Sequence, residues 1–148
     1  MSFARARLRG MLAVRVLAIF AACGLLASGA ELQGTWSATS PRGYLAGTWT
    51  AEDHQSAGVT GTWTLQDATG KILLQGGWSM SKSPQAWNGV WRSTVSGGSG
   101  EFAGTWTSSV SASPQAHLIE MFQSALRAVV SGTWQAGSSG TWSIRASP

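Results

Sequence analysis

Downstream of residue 30, apolar and polar positions alternate with a period of two, and the alternation is centred on eight tryptophans. Trp36, Trp49, Trp63, Trp78, Trp91, Trp106, Trp134 and Trp142 each have glycine two residues earlier: Gly34, Gly47, Gly61, Gly76, Gly89, Gly104, Gly132 and Gly140. Four residues earlier stand Leu32, Leu45, Val59, Leu74, Trp87, Phe102, Val130 and Ser138, and two residues later Ala38, Ala51, Leu65, Met80, Ser93, Ser108, Ala136 and Ile144. The positions between are mostly Thr, Ser or Gln, as in "VTGTWTLQ" (59–66). Such alternation is the signature of a strand with one buried and one solvated face, and threonine on the wet face favours extended backbone.

A repeat of about fourteen residues is too short for the common helical repeats or a propeller blade and suits one strand plus one turn. The intervening segments are turn-like: "SPRG" (40–43), "ATGK" (68–71), "SKSPQ" (81–85), "SGGSG" (96–100) and "GSS" (137–139). Short turns imply antiparallel neighbours. A register that pairs Trp63 with Gly76 also pairs Gly61 with Trp78 and Leu65 with Leu74. Extended along the chain, it pairs Trp36 with Gly47, Trp49 with Gly61, Trp78 with Gly89 and Trp91 with Gly104. Each indole then faces a residue without a side chain. "WQAGSSGTW" departs from the rule and sets Trp134 opposite Trp142.

Eight strands with one apolar face lose their exposed edges when closed. The expected fold is all-β, an eight-stranded antiparallel up-and-down β-barrel with one α-helix inserted between the sixth and seventh strands. At this strand number the interior is filled by side chains or holds one small ligand. The helix is read from "SASPQAHLIEMFQSALRAVVSG" (111–132): Ser113 is the N-cap candidate, Pro114 fits the first helical position, and Gly132 follows the end. Leu118, Ile119, Phe122, Leu126 and Val129 share a face. Such a helix either plugs a barrel end, the reading preferred here, or forms a lid over a ligand mouth. A membrane-spanning barrel is disfavoured by dimensions, since its strands need about 9–11 residues and two separated aromatic girdles.

The first thirty residues stand apart. Arg5, Arg7, Arg9 and Arg15 precede the apolar run "VLAIFAACGLL" (16–26) and the small residues of "ASGA" (27–30), the layout of a secretory signal peptide cleaved near Ala30. The domain division is therefore 1–30 leader and 31–148 barrel, with a secreted or periplasmic location. "FAAC" (20–23) offers the alternative of a lipoprotein anchored through Cys23. The formal charge of +4 belongs to the leader: Arg42, Lys71, Lys82, Arg92, Arg127 and Arg145 balance Glu31, Glu52, Asp53, Asp67, Glu101 and Glu120. A neutral barrel gives no electrostatic footprint for nucleic acid. Cys23 is the only cysteine, so residues 31–148 have no disulfide or thiol chemistry.

No nucleophile elbow, zinc-binding HExxH or phosphate-binding glycine loop occurs, no motif calls for a cofactor, and no catalytic or metal site is expected. His54 beside Glu52 and Asp53 reads as a solvated loop, and His117 with Glu120 as a pair on the helix surface. The tryptophans are the remaining candidates, because indole faces stack on flat ligands or line apolar pockets. The Trp–Gly ladder reads as core packing. Trp87 lies off the ladder, and with Phe102, Met80, Phe122 and Leu118 forms the expected ligand contact set at one barrel end. The alternative is a solid barrel used for self-association or for inhibiting a partner.

"GTW" (34–36) at the start of a secreted barrel, with "GVTGTWT" (58–64) and "GEFAGTWTSSV" (100–110), resembles the calycin group of lipocalins, avidins and small periplasmic protease inhibitors. The resemblance implies a ligand-binding barrel. Avidins place an asparagine two residues after the first-strand tryptophan, where this chain has Ala38. They place tyrosine and then Ser or Thr in the second strand, where it has Trp49 and Ala51. Biotin binding is therefore not implied. Arg145 falls where calycins often set a basic side chain over the first tryptophan, although alternation puts it on the outer face. "AELQGTW" (30–36) is similar to the first strand of the protease inhibitors, whose cysteine pair is missing here.

Overall fold

A computed structural model describes residues 31–55 and 58–148. The leader, its cleavage point and Cys23 lie outside the described residues. The strands are β1 (Leu32–Ser40), β2 (Gly43–Asp53), β3 (Val59–Gln66), β4 (Ile72–Lys82), β5 (Asn88–Val95), β6 (Glu101–Ser108), β7 (Val130–Ala136) and β8 (Ser138–Ala146), with α1 (Leu118–Ser124) between β6 and β7. They form a closed antiparallel barrel in which every strand neighbours the next and β8 closes on β1. The expected fold class is the one found.

The barrel is built from four hairpins, each carrying reciprocal Trp–Gly pairs. Trp36 faces Gly47 and Gly34 faces Trp49; Trp63 faces Gly76 and Gly61 faces Trp78. Trp91 faces Gly104 and Gly89 faces Trp106; Trp134 faces Gly140 and Gly132 faces Trp142. The last hairpin corrects the sequence register. Gly137, at φ +67°, lets Ala136 pair directly with Ser138, so Trp134 meets Gly140 and not Trp142.

The registers expected between hairpins are also corrected. Trp49 pairs with Trp63 in place of Gly61, because His54 N–H closes the connection on Gly58 O at 2.9 Å. The two rings fit because they turn apart. The Trp49 N–H points back to Thr35 O on β1, and that of Trp63 points forward to Gly77 O on β4 and Thr94 O on β5. Trp106 and Trp134 are paired and diverge in the same way, toward Ser81 O and Thr39 O. At the β4–β5 seam Trp78 faces Ser93, and Lys82 faces Gly89. There Ser83 closes the turn on Asn88, and Trp87 is left out of the ladder.

The pattern glycines have a more specific cause than room for a ring. A Cβ on Gly61 would overlap the carbonyl oxygen of Thr50, which is turned inward from the next strand, and would also lie 2.9 Å from Trp78 Nε1. Trp78 Nε1–H crosses over Gly61 and donates to that same Thr50 O at 3.0 Å. The turned carbonyl no longer serves the sheet, and Thr62 N–H is taken by Thr50 Oγ1 instead, at 3.0 Å. The arrangement recurs twice. Thr64 O accepts from Trp36 while Thr64 Oγ1 accepts from Thr48 N–H; Thr39 O accepts from Trp134 while Thr39 Oγ1 accepts from Thr141 N–H. Each buried polar group thus keeps a partner.

The helix is shorter than the sequence suggested. It starts after His117, whose N–H is accepted by Glu120 Oε1 at 3.2 Å, and ends at Ser124, whose hydroxyl bonds Glu120 O at 2.7 Å. Ser113 and Pro114 lie in the approach. Leu118, Met121 and Phe122 are buried with the adjacent Ala125, whereas Leu126 and Val129 fall beyond the helix and are exposed. The compact core sits at this end: Trp49, Ala51, Val59, Trp106, Val130 and Ala146 pack on the helix. The helix is a plug, stitched to the last strand by Ala146 N–H on Ala125 O at 3.0 Å.

Candidate functional site

Because the plug fills only one end, the barrel keeps a cavity of about 430 Å³ at the other. All eight ladder tryptophans line it. Trp49 and Trp106 are buried at its deep end, while the remaining six are only half-buried. Phe122 forms the floor, with its ring centroid 5.4 Å from those of Trp49 and Trp78. The mouth opens among the turns of the four hairpins. Leu45, Leu74 and Phe102 line the cavity there and are also 41–55% exposed.

No charged side chain among the described residues lines the cavity. Each ladder indole N–H, the one polar handle a tryptophan offers, is spent on a backbone carbonyl. Ser37 and Ser143 border the space with their hydroxyls bonded to one another at 2.7 Å, and Ser93 adds one further hydroxyl to the lining. No buried charged or polar side chain occurs among the described residues. Apart from Ser93 the wall presents π-faces and aliphatic carbon, a surface suited to contact by area and shape.

Three of the five residues expected to contact ligand come together here, at different depths: Phe122 on the floor, Met80 on the wall and Phe102 at the mouth. Phe102 and the helix lie at opposite ends of the barrel. Leu118 is buried in the plug, beyond the floor. Trp87 is 9% exposed and outside the cavity; its Nε1–H bonds Ala112 O at 2.8 Å, with the Lys82 ammonium 4.7 Å from the ring centroid. The Lys82 ammonium also bonds Pro114 O, so this pair clasps the approach to the helix onto the barrel. The ladder rings, read from sequence as core, are the residues that sequence reasoning left out of the site. The eightfold "GxW" was itself the signal, since eight indoles cannot all be satisfied by a seven-residue plug at one end.

Two hollows of about 540 and 490 Å³ lie elsewhere on the surface. The first runs over outer-face hydroxyls that are already paired, Thr39 with Thr141 and Thr107 with Thr133, each at 2.7 Å. The second is a shallow cleft beside the helix, edged by Glu120, Gln123 and Arg127. Neither is as apolar in its lining as the barrel cavity. His54 bonds Thr60 Oγ1 at 2.7 Å in its loop, and no cluster of three metal-ligating side chains occurs among the described residues.

Compared with known proteins, the chain matches no family model, no curated protein and no solved structure.

Proposed function

We propose that this protein is a secreted or periplasmic, non-catalytic barrel that binds a small apolar or aromatic molecule at its open end. The observation that carries the reading is the cavity of about 430 Å³ walled by eight indoles whose N–H groups are all engaged elsewhere. An apolar cavity of about 150 Å³ takes a benzene-sized guest, so this one has room for a flat body of two or three rings. With Ser93 as the one hydroxyl on the wall not paired with another side chain, the lining favours hydrocarbon-like ligands over sugars or ureido compounds, which need several orienting partners. That is also where the reading departs from the avidins, which this chain resembles only in architecture. A solid barrel serving self-association would have needed a filled interior.

Equilibrium dialysis with naphthalene tests the proposal. The expected result is saturable one-to-one binding with a Kd on the order of 10 μM, from ten carbon atoms at an ordinary efficiency per atom. Ala38 lines the cavity between Leu45 and Trp142, and Ala38→Phe should fill that space and weaken binding by about tenfold. Failure to saturate, or binding unaffected by Ala38→Phe in a folded variant, would remove the cavity from consideration.

A further inference from the structure

The apolar character of the cavity does not stop at its mouth. Leu45 and Leu74 continue outward into Tyr44, Ile72 and Leu73, which are 48–69% exposed. These five residues come from two adjacent hairpins, β1–β2 and β3–β4, so they form one patch on one side of the opening. Contiguous exposed aliphatic and aromatic side chains of this kind mark a surface that meets another apolar phase.

The charges around the patch say which phase. Arg42 in the β1–β2 turn and Lys71 in the β3–β4 turn are both exposed at the tips of these hairpins. Two carboxylates share this end, Asp67 and Glu101, and only Glu101 is matched by a cation. Asp67 accepts from Thr69 Oγ1, Thr69 N–H and Lys71 N–H at 2.6, 2.8 and 3.0 Å, and Glu101 pairs with Arg92 at 2.7 Å. With Glu101 matched by Arg92, Arg42 and Lys71 stand against Asp67 alone, so a small cationic excess flanks the apolar patch, the pattern of a segment lying in an anionic interface with its apolar groups among acyl chains. The opposite end carries Glu31, Glu52, Asp53 and Glu120, and its exposed apolar pair, Leu126 and Val129 beside Arg127, is smaller than the patch at the mouth.

We propose that the mouth docks peripherally on an anionic phospholipid surface, so that an apolar ligand passes between lipid and cavity without crossing water. The route for the ligand rests on the reading of the cavity; the docking itself does not, and the test separates them. Sedimentation is run with vesicles of pure phosphatidylcholine and with equal parts phosphatidylcholine and phosphatidylglycerol. The wild type and three variants, Leu73→Glu, Arg42→Ser and Lys71→Ser, are compared as the same chain, so any contribution of residues 1–30 is common to all. Binding should favour the anionic vesicles, fall about tenfold in Leu73→Glu and about fivefold for each cation removed. Naphthalene binding should be unchanged in all three. Binding that the substitutions do not alter, or no binding at all, overturns docking at the mouth. So does a dimer that Leu73→Glu dissociates without any vesicle binding. Loss of naphthalene binding in the wild type would instead overturn the cavity reading and leave the docking result standing.

Discussion

At the scale of a single residue, the informative group is the backbone carbonyl of Thr50. It is turned into the barrel, occupies the place of a Cβ on Gly61 and accepts the Trp78 indole. Gly61→Ala should therefore be severe for so small a change, costing about 3 kcal/mol, and Gly61→Val more. Denaturant unfolding checks this, and near-neutral alanine would contradict the turned carbonyl. The hydroxyl of the same threonine serves Thr62 N–H. Thr50→Val should then cost about 1–3 kcal/mol by leaving that donor unpaired, while Thr35→Val on the exposed face should be close to neutral. Equal effects at the two sites would mean that threonine is there for strand propensity alone. The alternation of Thr and Trp is legible in the sequence. The reason is not, because a rotated peptide plane leaves no mark beyond the residue types it requires.

At the scale of elements, turn length fixed the hairpin registers, so those of β1–β2, β3–β4 and β5–β6 could be read directly. The seams between hairpins depend on where indole N–H groups find carbonyls and on a side chain such as Trp87 leaving the ladder, which no local pattern encodes. Helix length was overread for a related reason. Leu126 and Val129 continue a helical spacing, yet the barrel end offers only enough surface to bury Leu118, Met121, Phe122 and Ala125. Phe122→Ala should cost about 3–5 kcal/mol and deepen the cavity, since it removes the ring packed on Trp49 and Trp78. A small loss of stability would mean the helix rests on the barrel without plugging it.

The β3–β4 turn carries a pH dependence. The Thr69 hydroxyl, then the Thr69 and Lys71 amides, hold the Asp67 carboxyl below the usual carboxylate range. A carboxyl with a lowered folded-state value contributes its stabilisation in full above its unfolded value and loses it as pH falls through the folded one. The amide resonances of Thr69 and Lys71 should titrate together, with a midpoint below that of an unperturbed aspartate. A midpoint at or above it would contradict the turn geometry.

At the scale of the molecule, four hairpins repeat one device, and their seams alternate in kind. Trp faces Trp at β2–β3 and β6–β7, and the register is displaced by two residues at β4–β5 and β8–β1. The chain is thus two similar halves of two hairpins each, and the helix after β6 is where the halves differ, closing one end and leaving the other open. The barrel and its plug were legible from periodicity. The cavity was not, because a ladder of paired indoles reads as a filled core until the plug is found at one end only. The choice of ladder rings over Trp87 is the point on which the account turns. It is settled most directly by nuclear Overhauser effects between bound naphthalene and assigned indole protons. The account predicts contacts to Trp36, Trp63 and Trp142 in the cavity and none to Trp87. Contacts to Trp87 with none to the ladder would contradict it.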